Sequence, residues 1–379
     1  AISQMYNKEL GIVFGNYRLV SHIDFANLKY VENIKISSSI MALANRGNNC
    51  GSFDGNGLDI RNIEISLDGQ SSVGIFSQIT SGGVFKNASI TVKSVSSGIS
   101  GIYVGTVAGL VQNSVICNIT VSPASEDDQN RSKITGQNIV GGVVGAVTGN
   151  SKISNLTSSI SVVSGIKNAE KNIKKYVEEI LRDNLQLAGG IYVDKNKDNG
   201  FVGGIVGLLD IYESVMDETS RSSKPNAVNL KYFGQNISVQ GSFVGGVVGF
   251  VGKSTYLANA SFILTGTKET LNQRLISYEN TIGGIVGVSF GDLFELGIEH
   301  ENELQKEIEA NIKDYYSSSN QVFRGNTKLF NSTGETLEYA GGIVGQMLGG
   351  NITVSYSRVD VALNKANAWW NIHNIVLRG

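Results

Sequence analysis

The stretch that decides the fold is Val140-Gly141-Gly142-Val143-Val144-Gly145, because related versions of it recur along the chain. Four further copies begin at Val202, Val244, Ile282 and Ala340, and looser relatives begin at Val73 and Val104. Seven versions of one phrase are typical of a repeat architecture, in which each unit packs mainly against its neighbours. The sequence therefore predicts a repeat fold before any secondary-structure propensity is considered.

The phrase itself is typical of a strand. If side chains alternate, Val140 and Val144 fall on one face and Val143 on the other. Both faces are then apolar, as in a strand that is covered on both sides. The glycines permit positive φ angles and let a neighbouring coil approach the backbone closely. We therefore expect each copy to form one doubly covered strand.

A polar turn and a second alternating strand follow each copy of the phrase. Asparagine recurs at one place in this second segment, as Asn87, Asn118, Asn155 and Asn259. Asparagine tolerates the left-handed conformation at a bend, and stacked asparagine amides can hydrogen-bond to one another. The sequence thus predicts a ladder of asparagines along one corner of the fold, and it favours this role over glycosylation of these residues.

The spacing of the copies is uneven. Their first glycines are separated by 31, 36, 62, 42, 38 and 58 residues, whereas repeat units contain about 20 to 50 residues. The predicted insertions are 163–200, 213–230 and 289–326. Apolar residues at helical spacing predict amphipathic helices over Ala169–Leu187 and Glu301–Tyr316. We expect an all-β chain, a single β-solenoid domain over 1–379 with helical insertions, that is a fragment of a larger protein.

Composition excludes several classes of protein. The formal net charge is −2, which argues against a nucleic-acid partner. No apolar run approaches the roughly 18 residues of a membrane-spanning helix, so we expect no membrane insertion. Cys50 and Cys117 are 67 residues apart, a spacing that fixes no disulfide geometry. We interpret them as small buried apolar side chains, with a disulfide left open.

The order of the motifs adds a resemblance to a known family. Its residues are Tyr17-Arg18-Leu19 with Asp24, Gly51 to Gly57, Ile60 to Ile63, Val73 to Phe76, and the later glycine phrases, each trailed by an Ile-x-Asn or Val-x-Asn turn. This layout resembles the GLUG-motif repeat family of bacterial surface and secreted proteins, which also supplies repeats to some immunoglobulin A-cleaving metalloproteases. The resemblance covers nearly the whole chain outside the predicted helices. It implies a right-handed parallel β-helix that projects binding surfaces from a cell, and it carries over no catalytic residue.

Motifs that point to chemistry are all incomplete. His300-Glu301 begins like a zinc-protease helix, but Leu304 stands where the second histidine is needed. Gly287 to Gly291 matches a nucleophile elbow only as the tail of a repeat phrase. Gly252 to Thr255 lacks the first glycine of a phosphate loop. The glycine of the calcium-like stretch Asp194 to Gly200 comes one residue late. We therefore expect no catalytic, cofactor-binding or metal-binding residues.

These observations predict a non-catalytic segment of a bacterial cell-surface or secreted adhesin or virulence protein. The expected partner is a host-cell or bacterial surface protein or glycan, bound mainly by the insertions. The alternatives are a carbohydrate-active β-helix enzyme and an accessory repeat domain of a secreted protease. Threonines show no ladder of the kind that ice-binding solenoids need. Trp369-Trp370 is interpreted as a cap on the core in preference to a sugar-stacking pair.

Overall fold

The computed structural model describes a chain built of strands. The described residues are 6–7, 12–13, 15–26, 42–44, 51–67, 70–97, 102–124, 132–165, 200–211, 225–233, 239–264, 275–300, 330–332, 339–353 and 356–357. Within these residues no helix occurs. The predicted helices over Ala169–Leu187 and Glu301–Tyr316 lie outside them, as do Trp369-Trp370, so both predictions stay untested.

Thirty-one strands lie in the described residues. The first sixteen are β1 (Tyr6–Asn7), β2 (Ile12–Val13), β3 (Asn16–Arg18), β4 (Ile23–Asp24), β5 (Ala42–Ala44), β6 (Ser52–Leu67), β7 (Ser72–Val73), β8 (Phe76–Thr80), β9 (Val84–Ser97), β10 (Tyr103–Val104), β11 (Ala108–Gln112), β12 (Val115–Pro123), β13 (Lys133–Gly136), β14 (Ile139–Gly141), β15 (Val144–Gly149) and β16 (Lys152–Ser158). The others are β17 (Ser161–Ser164), β18 (Phe201–Gly203), β19 (Val206–Ile211), β20 (Ala227–Phe233), β21 (Val239–Gly245), β22 (Val248–Val251), β23 (Tyr256–Leu264), β24 (Leu275–Gly283), β25 (Val286–Ser289), β26 (Asp292–His300), β27 (Phe330–Ser332), β28 (Tyr339–Gly341), β29 (Val344–Met347), β30 (Ile352–Thr353) and β31 (Tyr356–Ser357).

The strands form two long sheets. The first sheet has ten strands in the order β1-β2-β5-β8-β11-β15-β19-β22-β25-β29, and the second sheet has 21 strands. Strands one repeat apart pair in parallel throughout both sheets, and β1 pairs with β2 in the antiparallel sense. The prediction of an all-β fold with parallel strands is confirmed.

Copies of the glycine phrase stack directly on one another. Val140 is the register partner of Val202, which in turn pairs with Val244. The first glycines stack in the same way, Gly141 on Gly203 and Gly203 on Gly245. The phrase is therefore the stacking element of the repeat, in agreement with the sequence prediction.

The prediction that each phrase is one continuous strand is wrong. Strand β14 ends at Gly141 and β15 begins at Val144, so the chain bends at Gly142-Val143 and passes from the second sheet to the first. The bend brings backbone segments too close for side chains. A Cβ atom on Gly141 would lie 1.9 Å from the Val144 carbonyl oxygen, and one on Gly142 would lie 2.0 Å from the oxygen of Gly204. The glycines are needed for close approach, as predicted, while none of the positive φ angles of glycines occurs at a phrase.

Two hydrophobic clusters are packed around these bends. The main core contains Val140, Val143 and Val144, each fully buried, together with the inward residues of both sheets. A second cluster lies on the other face of the first sheet. There, every other residue of the first-sheet strands packs with residues of the second sheet that precede the bends. It includes Phe201 and Phe250, whose ring centroids are 4.9 Å apart. Strands β15, β19, β22 and β25 are thus apolar on both faces, but Val143 faces the main core with Val140 and Val144 and not the opposite face that the sequence predicts.

Strands extend into all three ranges predicted as insertions. Residues 163–165 of the 163–200 insertion include the end of β17. Residues 227–230 of the 213–230 insertion belong to β20, and residues 292–300 of the 289–326 insertion belong to β26. The sequence does not reveal these strands, because 213–230 contains many polar residues and 289–326 contains no glycine phrase. Both β20 and β26 nevertheless pair in register with β23.

Candidate binding surface

An asparagine ladder runs along one corner of the second sheet, as the sequence predicts. The side-chain nitrogen Nδ2 of Asn118 donates to Oδ1 of Asn87 at 2.8 Å, and Nδ2 of Asn155 donates to Oδ1 of Asn118 at 2.8 Å. All three residues are left-handed, with φ of 57°, 56° and 54°. Asparagine suits this position because it tolerates positive φ better than other non-glycine residues and supplies both a donor and an acceptor.

The ladder has a member that the sequence prediction missed. Asn229 donates from Nδ2 to Oδ1 of Asn155 at 2.7 Å and accepts a hydrogen bond from Nδ2 of Asn259. Its signal in the sequence is Val228-Asn229-Leu230, which falls within the range 213–230 predicted as a polar insertion. On the following rung the register places Glu295 opposite Asn259, with φ of 52°. Glutamate has no amide, so the ladder of amides ends at Asn259.

The other end of the ladder is a carboxylate. Nδ2 of Asn87 donates to Oδ1 of Asp54 at 3.0 Å, and the backbone N–H of Asn56 donates to the same oxygen at 2.9 Å. The side-chain hydrogen bond from Asn87, followed by the backbone one from Asn56, holds the pKa of Asp54 below its ordinary value of 3.8. Every amide of the ladder donates toward this end. Lys86 adds a cation, with Nζ 3.8 Å from Oδ2 of Asp54.

Further charged groups surround this end of the ladder. Nη2 of Arg61 lies 2.5 Å from Oδ2 of Asp59, and Nδ1 of His22 accepts a hydrogen bond from the Asp59 amide at 3.0 Å. Asp24 accepts a hydrogen bond from Nδ2 of Asn62 at 2.7 Å. This bond is the main cause that lowers the pKa of Asp24. The exposed polar groups of the first repeats thus hold one another in fixed positions.

The residues of the rejected motifs take part in packing where the structure describes them. Ser289 is fully buried at the end of β25, with its hydroxyl 3.3 Å from the Gly291 carbonyl oxygen. Thr255 is buried, and its hydroxyl accepts a hydrogen bond from the Ile211 amide at 2.9 Å. His300 is the last residue of β26, and Glu301 to Leu304 lie outside the described residues. Most of the calcium-like stretch, residues 194–199, lies outside the described residues.

Cys117 is a free thiol that faces outward between Lys86 and Ser154 in the register. It is half-buried, so its interpretation as a buried apolar side chain is wrong. Burial raises the pKa of the Cys117 thiol above its ordinary value of 9.0. The thiol is therefore protonated at neutral pH and is a weak nucleophile. Cys50 lies outside the described residues.

Two features are absent from the described part of the chain. No group of three or more His, Cys, Asp or Glu side chains is arranged to hold a metal ion there. Nor do those residues include a helix long and apolar enough to cross a membrane.

Comparisons with known proteins give limited similarity. No family model matches the chain. Halomucin of Haloquadratum walsbyi is 29% identical over 150 residues, which are 38% of this chain and 2% of halomucin, so the match spans a small part of that protein. A crystal structure of a proposed immunoglobulin A1 protease from Bacteroides ovatus aligns with 88% of this chain and 78% of its own, at 15% identity and a TM-score of 0.38.

Proposed function

We propose that the two sheets wind into a right-handed parallel β-helix of the GLUG-motif type. The observation that carries this proposal is the in-register stack of glycine bends, with Val140 on Val202 and Gly141 on Gly203. Each repeat adds a strand to the first sheet after the bend and strands to the second sheet before the next one. A coil of this kind places each repeat directly on the one before it.

We further propose that this coil is a non-catalytic, extracellular scaffold of the adhesin type. The glycines and valines of the phrases are buried in packing contacts, so they offer no reactive group to a substrate. The ladder asparagines and the charged groups around Asp54 stay exposed or half-exposed on the surface. A rigid scaffold with a polar surface is suited to binding a partner without turning it over. The similarity to halomucin supports the extracellular location.

Binding to cells tests this proposal. The purified chain should bind to bacterial or host cells in a saturable manner, and it should release no product from polysaccharides. The control is an unrelated folded protein of similar size and net charge in the same assay. Absence of saturable binding would refute the adhesin proposal. Polysaccharide cleavage that one Asp or Glu substitution abolishes would refute the non-catalytic proposal.

A carbohydrate-active enzyme is a second candidate because Asp54 and Lys86 are register neighbours on the surface. An acid–base catalyst works best when its pKa lies near the operating pH. Hydrogen bonds from Asn87 and Asn56 instead hold the pKa of Asp54 below 3.8. Asp54 is therefore a poor proton donor at neutral pH, and the scaffold proposal is favoured.

A further inference from the structure

A row of hydroxyl groups lies beside the asparagine ladder, two residues further along each strand. The parallel register aligns Ser89 with Thr120 and Thr120 with Thr157. Asp59 pairs with Ser89 at one end, and Lys231 pairs with Thr157 at the other. We call these five residues the polar column. Two of its members, Thr120 and Thr157, are threonines in direct register.

The hydroxyls of the polar column face outward and have no hydrogen-bond partner among the described residues. Ala88 and Ile90 are buried in the main core, so the alternation of the strand turns Ser89 away from it. Thr120 is exposed, while Ser89 and Thr157 are half-exposed. None of the three hydroxyls bonds to another group in the described part of the chain. Each can therefore donate and accept hydrogen bonds with a ligand or with water.

The spacing of these groups is regular and rigid. Neighbouring strands lie about 4.8 Å apart, so the four steps of the column span about 19 Å. The ladder amides add further groups on the same rungs. Each amide within the ladder uses one N–H and one oxygen lone pair, which leaves one donor and one acceptor for a ligand. Because the sheet fixes these groups in place, binding them costs little conformational entropy.

The chemistry of the column favours a hydrated, hydroxyl-rich ligand. Among the described residues the exposed large hydrophobic side chains are Val20 and Met347, and neither belongs to the column. An apolar partner therefore has nothing to bury there. Ice is also periodic and rich in hydroxyls, but the charges of Asp59 and Lys231 hold water strongly and disfavour a fit to an ice lattice.

We infer that the polar column binds an extended polysaccharide that runs across the strands. Hydroxyls of successive sugar units bond to Ser89, Thr120 and Thr157, one rung after another. This inference rests on the proposed binding function and names the class of its ligand. It also places the binding surface on the repeats themselves and not on the predicted insertions.

The test removes hydroxyls while the shape of the surface is kept. The double variant Thr120→Val/Thr157→Val retains two β-branched side chains on the sheet. Thr135→Val is the matched control, since Thr135 is a half-exposed threonine on β13, outside the column. The full 379-residue chain and both variants are titrated against immobilised dextran, cellulose, alginate and hyaluronan. Urea unfolding of each protein checks that the fold is unchanged.

We expect the chain to bind at least one of these polysaccharides and the double variant to bind it about tenfold more weakly, as for the loss of two hydrogen bonds. The control should bind like the unmodified chain. If the double variant unfolds at a lower urea concentration, Ser89→Ala supplies the same comparison with one hydroxyl removed.

Other outcomes separate this inference from the proposed function. Equal binding by the double variant and the unmodified chain would overturn the inference that the polar column binds polysaccharide, and it would leave the scaffold proposal intact. Binding to cells without binding to any polysaccharide would overturn the ligand class alone. Absence of both would overturn both proposals. Inhibition of ice growth that the double variant loses would assign the column to ice and overturn the inference.

Discussion

Substitution of Asn155 tests whether the asparagine ladder stabilises the fold. Asn155 makes two side-chain bonds, at 2.8 Å to Asn118 and 2.7 Å from Asn229. Because the amides are exposed to water, each bond is worth about 0.5 kcal/mol, the low end of the usual range. Its φ of 54° adds a second cost when alanine replaces it. Alanine in the left-handed region costs about 1 kcal/mol, so Asn155→Ala should lower the free energy of unfolding by about 2 kcal/mol.

A matched substitution separates these two costs. Asn259 has nearly the same φ, 53°, and is exposed, but it makes one ladder bond because Glu295 occupies the next rung. Asn259→Ala should therefore destabilise the protein by about 0.5 kcal/mol less than Asn155→Ala. Urea unfolding gives the midpoints, and amide hydrogen exchange of the strands next to each site shows the loss locally, which matters because long repeat arrays can unfold in parts.

The comparison is decisive because backbone conformation and exposure are shared. If both alanine variants lose the same stability, the ladder bonds contribute nothing and the left-handed bend alone accounts for asparagine at these corners. If neither variant loses stability, the interpretation of the corner as a stabilising element is wrong altogether.

Three other substitutions test the packing and the charges. Gly204→Ala should cost more than about 3 kcal/mol or prevent folding, because its Cβ atom would lie 2.4 Å from both the Gly246 oxygen and the Tyr232 ring; urea unfolding would show the loss. Ser158→Ala should raise the free energy of unfolding by about 1 kcal/mol, because the buried Ser158 hydroxyl has no hydrogen-bond partner in the described part of the chain; an unchanged midpoint would contradict this. Asp54 should stabilise the fold above its unfolded pKa near 3.8, and this contribution should fade as pH falls through its lowered folded pKa. In Asp54→Asn the unfolding midpoint should therefore fall less below about pH 4 than in the unmodified chain.

The sequence predicts the repeat and the asparagine corner because both rest on local rules. Asparagine recurs at Asn87, Asn118 and Asn155. A left-handed bend with stacked amides is one of the few physical reasons for asparagine to recur at one place in a repeat. The conformation of the glycine phrase is harder to predict, because a straight strand with alternating side chains accounts for its apolar pattern as well as a bend does. Val143 and Val144 are adjacent yet both face the main core, which a straight strand does not allow. Adjacent valines after paired glycines are therefore the signal of a bend.

Other features depend on contacts between repeats that no single segment reveals. The second cluster forms because Phe201 precedes one bend and Phe250 follows another, 49 residues later in the chain. Their meeting requires the register between repeats, and the uneven insertions hide that register in the sequence. The polar column differs, because Thr120 and Thr157 each lie two residues after a predicted ladder asparagine, and the sequence alone does not show that this position faces outward.

The corner asparagines also determine what the surface presents. Each left-handed bend resets the alternation, so the residue two positions after the asparagine points outward. At Asn87, Asn118 and Asn155 that residue is Ser89, Thr120 or Thr157. After Asn229 it is Lys231, but after Asn259 it is Ser261, which is 4% exposed. The open polar surface therefore closes beyond Lys231, although the bends continue. A ligand that follows the column has to bind on the earlier repeats, and substitutions on later rungs should affect stability without affecting its binding.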